Sequence, residues 1–351
     1  MTAGCILFRV DAGPIIGLGH LQRCLSLATA LRRNDVTCLF LTNDEPTIVD
    51  RIARFDFKGY ILTACESWGT ADLEQTLATA AVEGCSTIII DSDYEGANYL
   101  SQLRSAGYFV VAIEDTTPHS FPCHLVINGD AHARQLSYSS PFKDTRFLLG
   151  PEYSILRHEF WDGWHRLLPE DIDNILVILG GADPYNIMPK VIKSLDTLPG
   201  TFSITAIVGP FFKNLAEIQA VSKQAQHSII FVQNPDSVRD LMIQANIAVS
   251  AGGQTLYELA CVGCPTIAIR IAANQDGQLC VFEEAGFIRI VGHGNNSSIA
   301  EAVRDAVGVL FADPEARTAM SAAGQRLVDG KGALRVAQTL LNALDKHKIN
   351  E

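Results

Sequence analysis

The amino-acid sequence predicts an α/β protein made of two doubly wound domains. Three observations carry that expectation. Short β-branched apolar runs alternate with longer amphipathic stretches, and this pattern restarts near the middle of the chain. The chain also has 351 residues, 48% of them apolar and 19% charged, enough for two sizeable cores.

In the first half, ILFRV (6–10), VTCLFL (36–41), TIIID (87–91), YFVVAI (108–113) and HLVIN (124–128) read as buried strands of a parallel sheet. Segments 21–33, 72–83 and 98–106 carry helical patterns between them, and Asn34 stops the first. The joining segment 147–171 is expected to hold an aromatic-rich amphipathic helix ahead of Pro169. The second strand set is ILVIL (175–179), FSITAIV (202–208), SIIFV (228–232), ANIAVS (245–250) and PTIAIR (265–270). Its helices are expected at 187–197, 213–224, 237–244, 254–262 and 276–285. Asp313-Pro314 then reads as N-cap and first residue of a helical tail. Residues 1–168 are therefore expected as one domain, and 169–351, tail included, as the other. Ligands of such folds bind beyond the carboxyl ends of strands, so a cleft between two facing domains is the expected site.

Composition narrows the partners. With 39 acidic against 27 basic residues, the net charge of -12 offers no broad footprint for nucleic acid or anionic lipid. Nine cysteines form no disulfide framework, and Cys5, Cys24, Cys38 and Cys261 lie in apolar runs, as free thiols of a reducing cytoplasm would. The N-terminus lacks a basic n-region, and no run of 18 apolar residues occurs. A soluble, cytoplasmic monomer acting on a small anionic molecule is expected, with no membrane span.

The loops after strands carry the chemistry. DAGPIIGLGH (11–20) sets Asp11, Gly17 and Gly19 before a helix that opens on His20. Its glycines let backbone approach a ligand, and a helix N-terminus favours anions and a neutral imidazole able to accept a proton. The same glycines would also suit a plain turn. The spacing is not GxGxxG, so a nicotinamide cofactor is not expected. VILGGADPYN (177–186) presents Gly181 and Asp183 in a phosphate-type turn. In SAGGQTLYE (250–258), Gly252, Gly253, Gln254 and Thr255 place N–H groups at a helix start suited to a diphosphate. Glu258 stands one turn in, where it could accept from a ribose diol or simply complement the helix dipole. Asn274 and Gln275 follow the next strand. Arg23 either orients ligand or pairs with a neighbouring acid. Asp91 and Tyr94 lie at a strand end where polar groups meet ligand. Two strings read as decoys. Cys261-Val262-Gly263-Cys264 lacks the second pair zinc needs, and Asp91-Ser92-Asp93 spells a metal-binding DxD in the wrong fold context. No metal or cofactor is expected.

FRVDAGPIIGLGHLQRCLSLATAL resembles the opening of the nucleotide-sugar hydrolases of pseudaminic acid biosynthesis (PseG) and their spore-coat relatives. IIIDSDY, IEDTTPH, LLGPEYSILRHEF, LGGADPYN, SAGGQTLYE and AANQ follow in the family's order over most of residues 6–287. The resemblance implies a GT-B fold of two Rossmann-like domains. It also implies hydrolysis of a UDP-2,4-diacetamido-2,4,6-trideoxyhexose, with water attacking the anomeric carbon. It carries the catalytic base onto His20 and the tyrosine of a D-H-Y-like loop onto Tyr94, where this sequence reads Asp-Ser-Asp-Tyr. UDP would fall on Gly252–Glu258 and Gly180–Asp183, and Asn274 and Gln275 would reach the sugar. The alternatives are a GT-B glycosyltransferase, a UDP-sugar epimerase and a non-catalytic sugar-nucleotide sensor. The sensor would have no need of a helix-start histidine.

Overall fold

The computed structural model describes residues 4–350 except 14–15, 64–67, 92–95, 115–119, 164–165, 167–168, 170, 210, 214, 234 and 236, and at 46 and 348–350 it describes backbone only. Chain contacts divide it into two units: Met1–Trp161 with Lys331–Glu351, and Asp162–Gly330.

The first unit follows the sequence periodicity closely. β1 (Cys5–Val10), α1 (Gly19–Arg32), β2 (Thr37–Thr42), α2 (Pro46–Arg54), β3 (Lys58–Ile61), α3 (Thr70–Val82), β4 (Thr87–Asp91), α4 (Ala97–Ser105), β5 (Phe109–Ile113), β6 (Leu125–Asn128) and β7 (Arg146–Leu149) follow in order. The strands form one parallel sheet ordered β3-β2-β1-β4-β5-β6-β7. Alternate residues of β1 feed opposite layers. Ile6, Phe8 and Val10 pack towards α1, and Leu7 packs with residues of α3 and α4. Two of these strands escape the sequence pattern. β3 and β7 are four-residue edge strands, only partly buried, so neither needs a long apolar run.

The second unit holds β8 (Asn174–Ile178), α5 (Met188–Leu195), β9 (Ser203–Val208), α6 (Leu215–Ser222), β10 (Ser228–Gln233), α7 (Val238–Gln244), β11 (Ile247–Ala251), α8 (Thr255–Val262), β12 (Thr266–Arg270), α9 (Asp276–Glu284), β13 (Ile288–His293), α10 (Ile299–Phe311) and α11 (Pro314–Leu327). Its parallel sheet runs β10-β9-β8-β11-β12-β13. Asp313 caps α11 through the Ala316 N–H at 2.8 Å, as its place before Pro314 suggests. Among the described residues, no helix is long and apolar enough to cross a membrane.

Three sequence expectations are corrected. First, the tail does not stay with the second unit. α12 (Gly332–Asn350) buries Ala333, Val336, Ala337, Leu340 and Ala343 in the core shared with α1. Arg335 donates to the Glu152 carbonyl at 2.6 Å, and Gly332 lies so close to Ser154 that a Cβ would collide with its carbonyl. Second, segment 147–171 forms β7 and two 3-10 turns, Pro151–Tyr153 and His158–Phe160, with no α-helix among its described residues. Gly150 at φ +114° breaks the chain there, and the Trp161 indole turns back to the Leu156 carbonyl at 2.9 Å. Third, Cys5 is bonded to Cys85, because β1 pairs with β4 and brings the two together at the N-terminal ends of these neighbouring central strands.

Leu340→Ala should cost about 2–5 kcal/mol by emptying a fully buried site in the α1–α12 layer. Val82→Ala, at a position 84% exposed, should stay within about 0.5 kcal/mol. Urea denaturation of both variants checks the contrast, and equal midpoints would remove α12 from the first core.

Candidate functional site

In an open parallel sheet, ligands bind where the strand order reverses. That point lies between β1 and β4 in the first unit and between β8 and β11 in the second. The loops singled out from sequence flank these two points.

At the first, Val10 pairs in register with Asp91, the last residue of β4. Asp91 is fully buried and faces α1. Arg23 grips it side-on, with Nε 2.7 Å from Oδ2 and Nη2 2.5 Å from Oδ1. His20 Nδ1 lies 2.6 Å from Oδ1, and the Cys24 thiol donates to Oδ2 at 3.2 Å. Burial alone would raise the Asp91 pKa, but the Arg23 guanidinium and His20 hold it well below the ordinary carboxylate range. Arg23 Nη2 also lies 3.0 Å from His20 Nδ1, so Asp91 and Arg23 together enclose that nitrogen. Arg23 thus pairs with a neighbouring acid, one of the two roles its sequence position allowed, and both residues lie within the hydrogen-bond network of His20.

Gly13 and Gly17 exchange backbone hydrogen bonds of 3.1 and 2.7 Å, closing the loop ahead of α1. Gly17 sits at φ +89°, and a Cβ at Gly17 or Gly19 would meet nothing within 4 Å, so backbone is presented there without cover. Asn43 secures the loop from β2, accepting from the Ala12 N–H at 2.9 Å and donating to its carbonyl at 3.0 Å. Asp11 is also diverted from the ligand role. It accepts from Arg9 Nη1 at 2.5 Å and from the Trp68 indole at 2.9 Å. Arg9 is wholly buried and reaches Asp72 on α3 with Nε at 3.1 Å and Nη2 at 2.7 Å. Burial works against its charge, yet Asp72 and Asp11 leave it protonated more firmly than usual. Tyr94 lies outside the described residues.

At the second reversal point, Gly252 is buried beneath Gly253, Gln254 and Thr255, which are half-buried at the opening of α8. A Cβ on Gly252 would come within 2.9 Å of Leu279, and Gln278 donates to its carbonyl at 2.6 Å, so a larger residue there would have to displace its neighbours. The Gln254 side chain does not cap α8, and Glu258 is buried in its first turn. Gly181 is exposed on the loop after β8. Asp183 spends both oxygens on the Ile187 and Met188 N–H groups, at 2.9 and 2.7 Å, so it caps α5 in place of meeting ligand. Gln275 likewise turns inward and accepts from the Ile271 N–H at 2.9 Å, whereas Asn274 is exposed. The Cys261 and Cys264 thiols are buried and raised by that burial to about 12 and about 11, in keeping with packing. Among the described residues no group of three or more His, Cys, Asp or Glu could hold a metal ion.

Arg9, Asn43, Trp68, Asp72 and Tyr99 escape the sequence reading. One signal was available: a charged residue inside the apolar run ILFRV requires a buried partner.

Asp91→Asn should destabilise the first unit by about 3–5 kcal/mol, since it leaves Arg23 in a buried site without its counter-charge. The sign with pH follows from the lowered pKa of Asp91. Its contribution is present above the unfolded carboxylate value of about 3.9 and fades as pH falls towards the folded value. Urea midpoints between pH 7 and 2.5 should show wild type and variant converging in acid, and a constant gap would exclude Asp91 as the titrating group.

No protein-family model matches the chain. The spore coat polysaccharide biosynthesis protein SpsG of Bacillus subtilis is 29% identical over 345 residues, covering 94% of this chain and 96% of that protein. A UDP-2,4-diacetamido-2,4,6-trideoxy-beta-L-altropyranose hydrolase of Campylobacter jejuni is 22% identical over 286 residues, covering 80% and 97%. An uncharacterized protein of Methanocaldococcus jannaschii is 25% identical over 269 residues, which span 74% of this chain but only 54% of that longer relative. Among solved structures, Acinetobacter baumannii MurG matches with a TM-score of 0.70 at 12% identity, over 97% of this chain and 99% of that one. A Neisseria meningitidis UDP-GlcNAc 2-epimerase bound to UDP-GlcNAc matches at 0.65 and 13% identity, over 96% and 100%. The fold is GT-B, with a Rossmann-like sheet in each unit. The SpsG and hydrolase relatives, matched over most of the chain, support a PseG/SpsG-type family for this protein.

Proposed function

We propose that this protein is a UDP-sugar hydrolase that releases UDP from a UDP-2,4-diacetamido-2,4,6-trideoxyhexose by attack of water at the anomeric carbon. The observation that carries the reading is the His20–Asp91 contact of 2.6 Å at the start of α1, in which Nδ1 is proposed to donate to the carboxylate and Nε2 to act as the base. The hydrolase of Campylobacter jejuni, related over 80% of this chain, supports the choice of substrate.

In the proposed reaction the water oxygen bonds to C1 as the bond from C1 to the diphosphate oxygen breaks. The bonding pair leaves with UDP, and the water proton passes to His20 Nε2. Attack opposite the leaving group inverts C1. A positioned base of this kind is worth about 10²–10⁴-fold in rate. Asp91 stabilises the imidazolium formed, and Arg23 keeps Asp91 ionised through the cycle. In the second unit the start of α8, at Gly253–Thr255, is proposed to hold the diphosphate. Glu258 is proposed to hold the ribose, and Gly181 and Asn274 to line the same ligand. Tyr94 is proposed to act beside His20. This chemistry takes place among cytoplasmic sugar nucleotides and feeds the synthesis of a cell-surface nonulosonic acid of the pseudaminic type.

Incubation of the UDP-sugar in ¹⁸O water without acceptor should give free sugar labelled at C1 and unlabelled UDP. His20→Asn should slow turnover by about 10²–10⁴-fold with UDP affinity unchanged. Label in UDP would overturn C–O cleavage. Sugar release only on addition of an alcohol or lipid acceptor would make the protein a glycosyltransferase.

A further inference from the structure

Trp68 is held in an arrangement that packing alone does not explain. It is a bulky residue at φ +67°, a left-handed conformation that L side chains rarely adopt. Four neighbours nevertheless fix it. Its N–H donates to Asp72 at 2.5 Å, its indole N–H donates to Asp11 at 2.9 Å, the Arg9 guanidinium lies 4.1 Å from the ring centroid, and Tyr99 meets the ring edge-on at 5.4 Å. Asp72 is itself gripped by Arg9 and accepts from Tyr99 at 2.9 Å. Burying a guanidinium between two carboxylates costs more than apolar packing of the same volume, so such a network is retained where it fixes a position. What this one fixes is a half-buried indole.

Its place in the fold says what the indole serves. The chain crosses from one face of the first sheet to the other between β3 and α3, and Trp68 lies on that crossing. The Asp11 that holds it follows Val10, the register partner of Asp91. His20 therefore stands on the α1 side of the β1–β4 reversal point and Trp68 on the α3 side. Strained residues over-determined by their surroundings concentrate at ligand sites.

We propose that Trp68 is a specificity-determining residue whose ring receives the apolar C–H face of the substrate's pyranose. A rigid aromatic face gives a deoxygenated, acetamido-bearing sugar a large contact that a hydroxyl-rich sugar would fill less well. This inference rests on the hydrolase reading above.

The test compares wild type, Trp68→Phe and Trp68→Ala, measuring KM and kcat for the UDP-diacetamido-trideoxyhexose, Kd for UDP by calorimetry, and the thermal midpoint. Trp68→Ala should raise KM about tenfold with the Kd for UDP unchanged, and Trp68→Phe, which keeps an aromatic face, should recover most of that loss. An unchanged KM in Trp68→Ala overturns the proposal. So does a KM that rises equally in both variants, which would assign the effect to the lost indole–Asp11 bond. If Trp68→Ala does not fold, Trp68→Phe alone decides: a KM near wild type supports the aromatic face, and a large rise overturns it. Wild-type protein that binds UDP but does not turn over this sugar overturns the hydrolase reading, and this inference with it.

Discussion

A carboxylate sealed from water at the end of a strand is costly to keep ionised, and Asp91 is kept so by a side-on guanidinium and an imidazole that both come from α1. Much of the first unit depends on that contact. It sets the rotation of α1 against β4, since His20 and Arg23 must share one face of the helix three residues apart. It sets His20 Nδ1 against the carboxylate. The Gly13–Gly17 loop ahead of α1 is closed by its own backbone and by Asn43. On the opposite face of the same sheet, Arg9 repeats the device with Asp11 and Asp72. The β1–β4 reversal point is thus flanked by two buried ionic clusters.

The second unit solves a different problem by different means. Its reversal point is lined with backbone. Gly252 lies within van der Waals contact of α9, Gly180 takes φ +83°, and the Phe211 N–H closes on the Gly181 carbonyl at 3.0 Å. Backbone N–H groups with glycine neighbours can make an anion site without fixed charge. Buried ion pairs thus mark the reversal point of the first unit, and glycine-rich backbone that of the second.

Residues that look like ligand contacts in sequence divide into two kinds. Gly17, Gly19, Gly253 and Thr255 present uncovered or half-buried backbone, as loops after strands should. Asp11, Arg23, Asp91, Asp183 and Gln275 have their polar atoms committed to protein partners. Polar side chains at strand ends serve both ends, and composition cannot separate them, because a loop that holds a ligand must first be held itself.

Strands and helices were legible because hydrophobic periodicity is local: TIIID, YFVVAI and SIIFV become β4, β5 and β10 within a residue of their apolar runs. The GxGH loop, the SAGG helix start and the two-sheet plan were legible for the same reason. Edge strands such as β3 were not, since half-exposed residues leave no strong pattern. Nor were the partners of charged side chains. Arg23 meets Asp91 across 68 positions and Arg9 meets Asp72 across 63, distances bridged only once β4 pairs with β1 and α3 crosses the sheet. The docking of α12 on α1, hundreds of residues upstream, follows from the same kind of cause. An amphipathic helix records which of its faces is apolar, and only the assembled core decides which surface that face will cover.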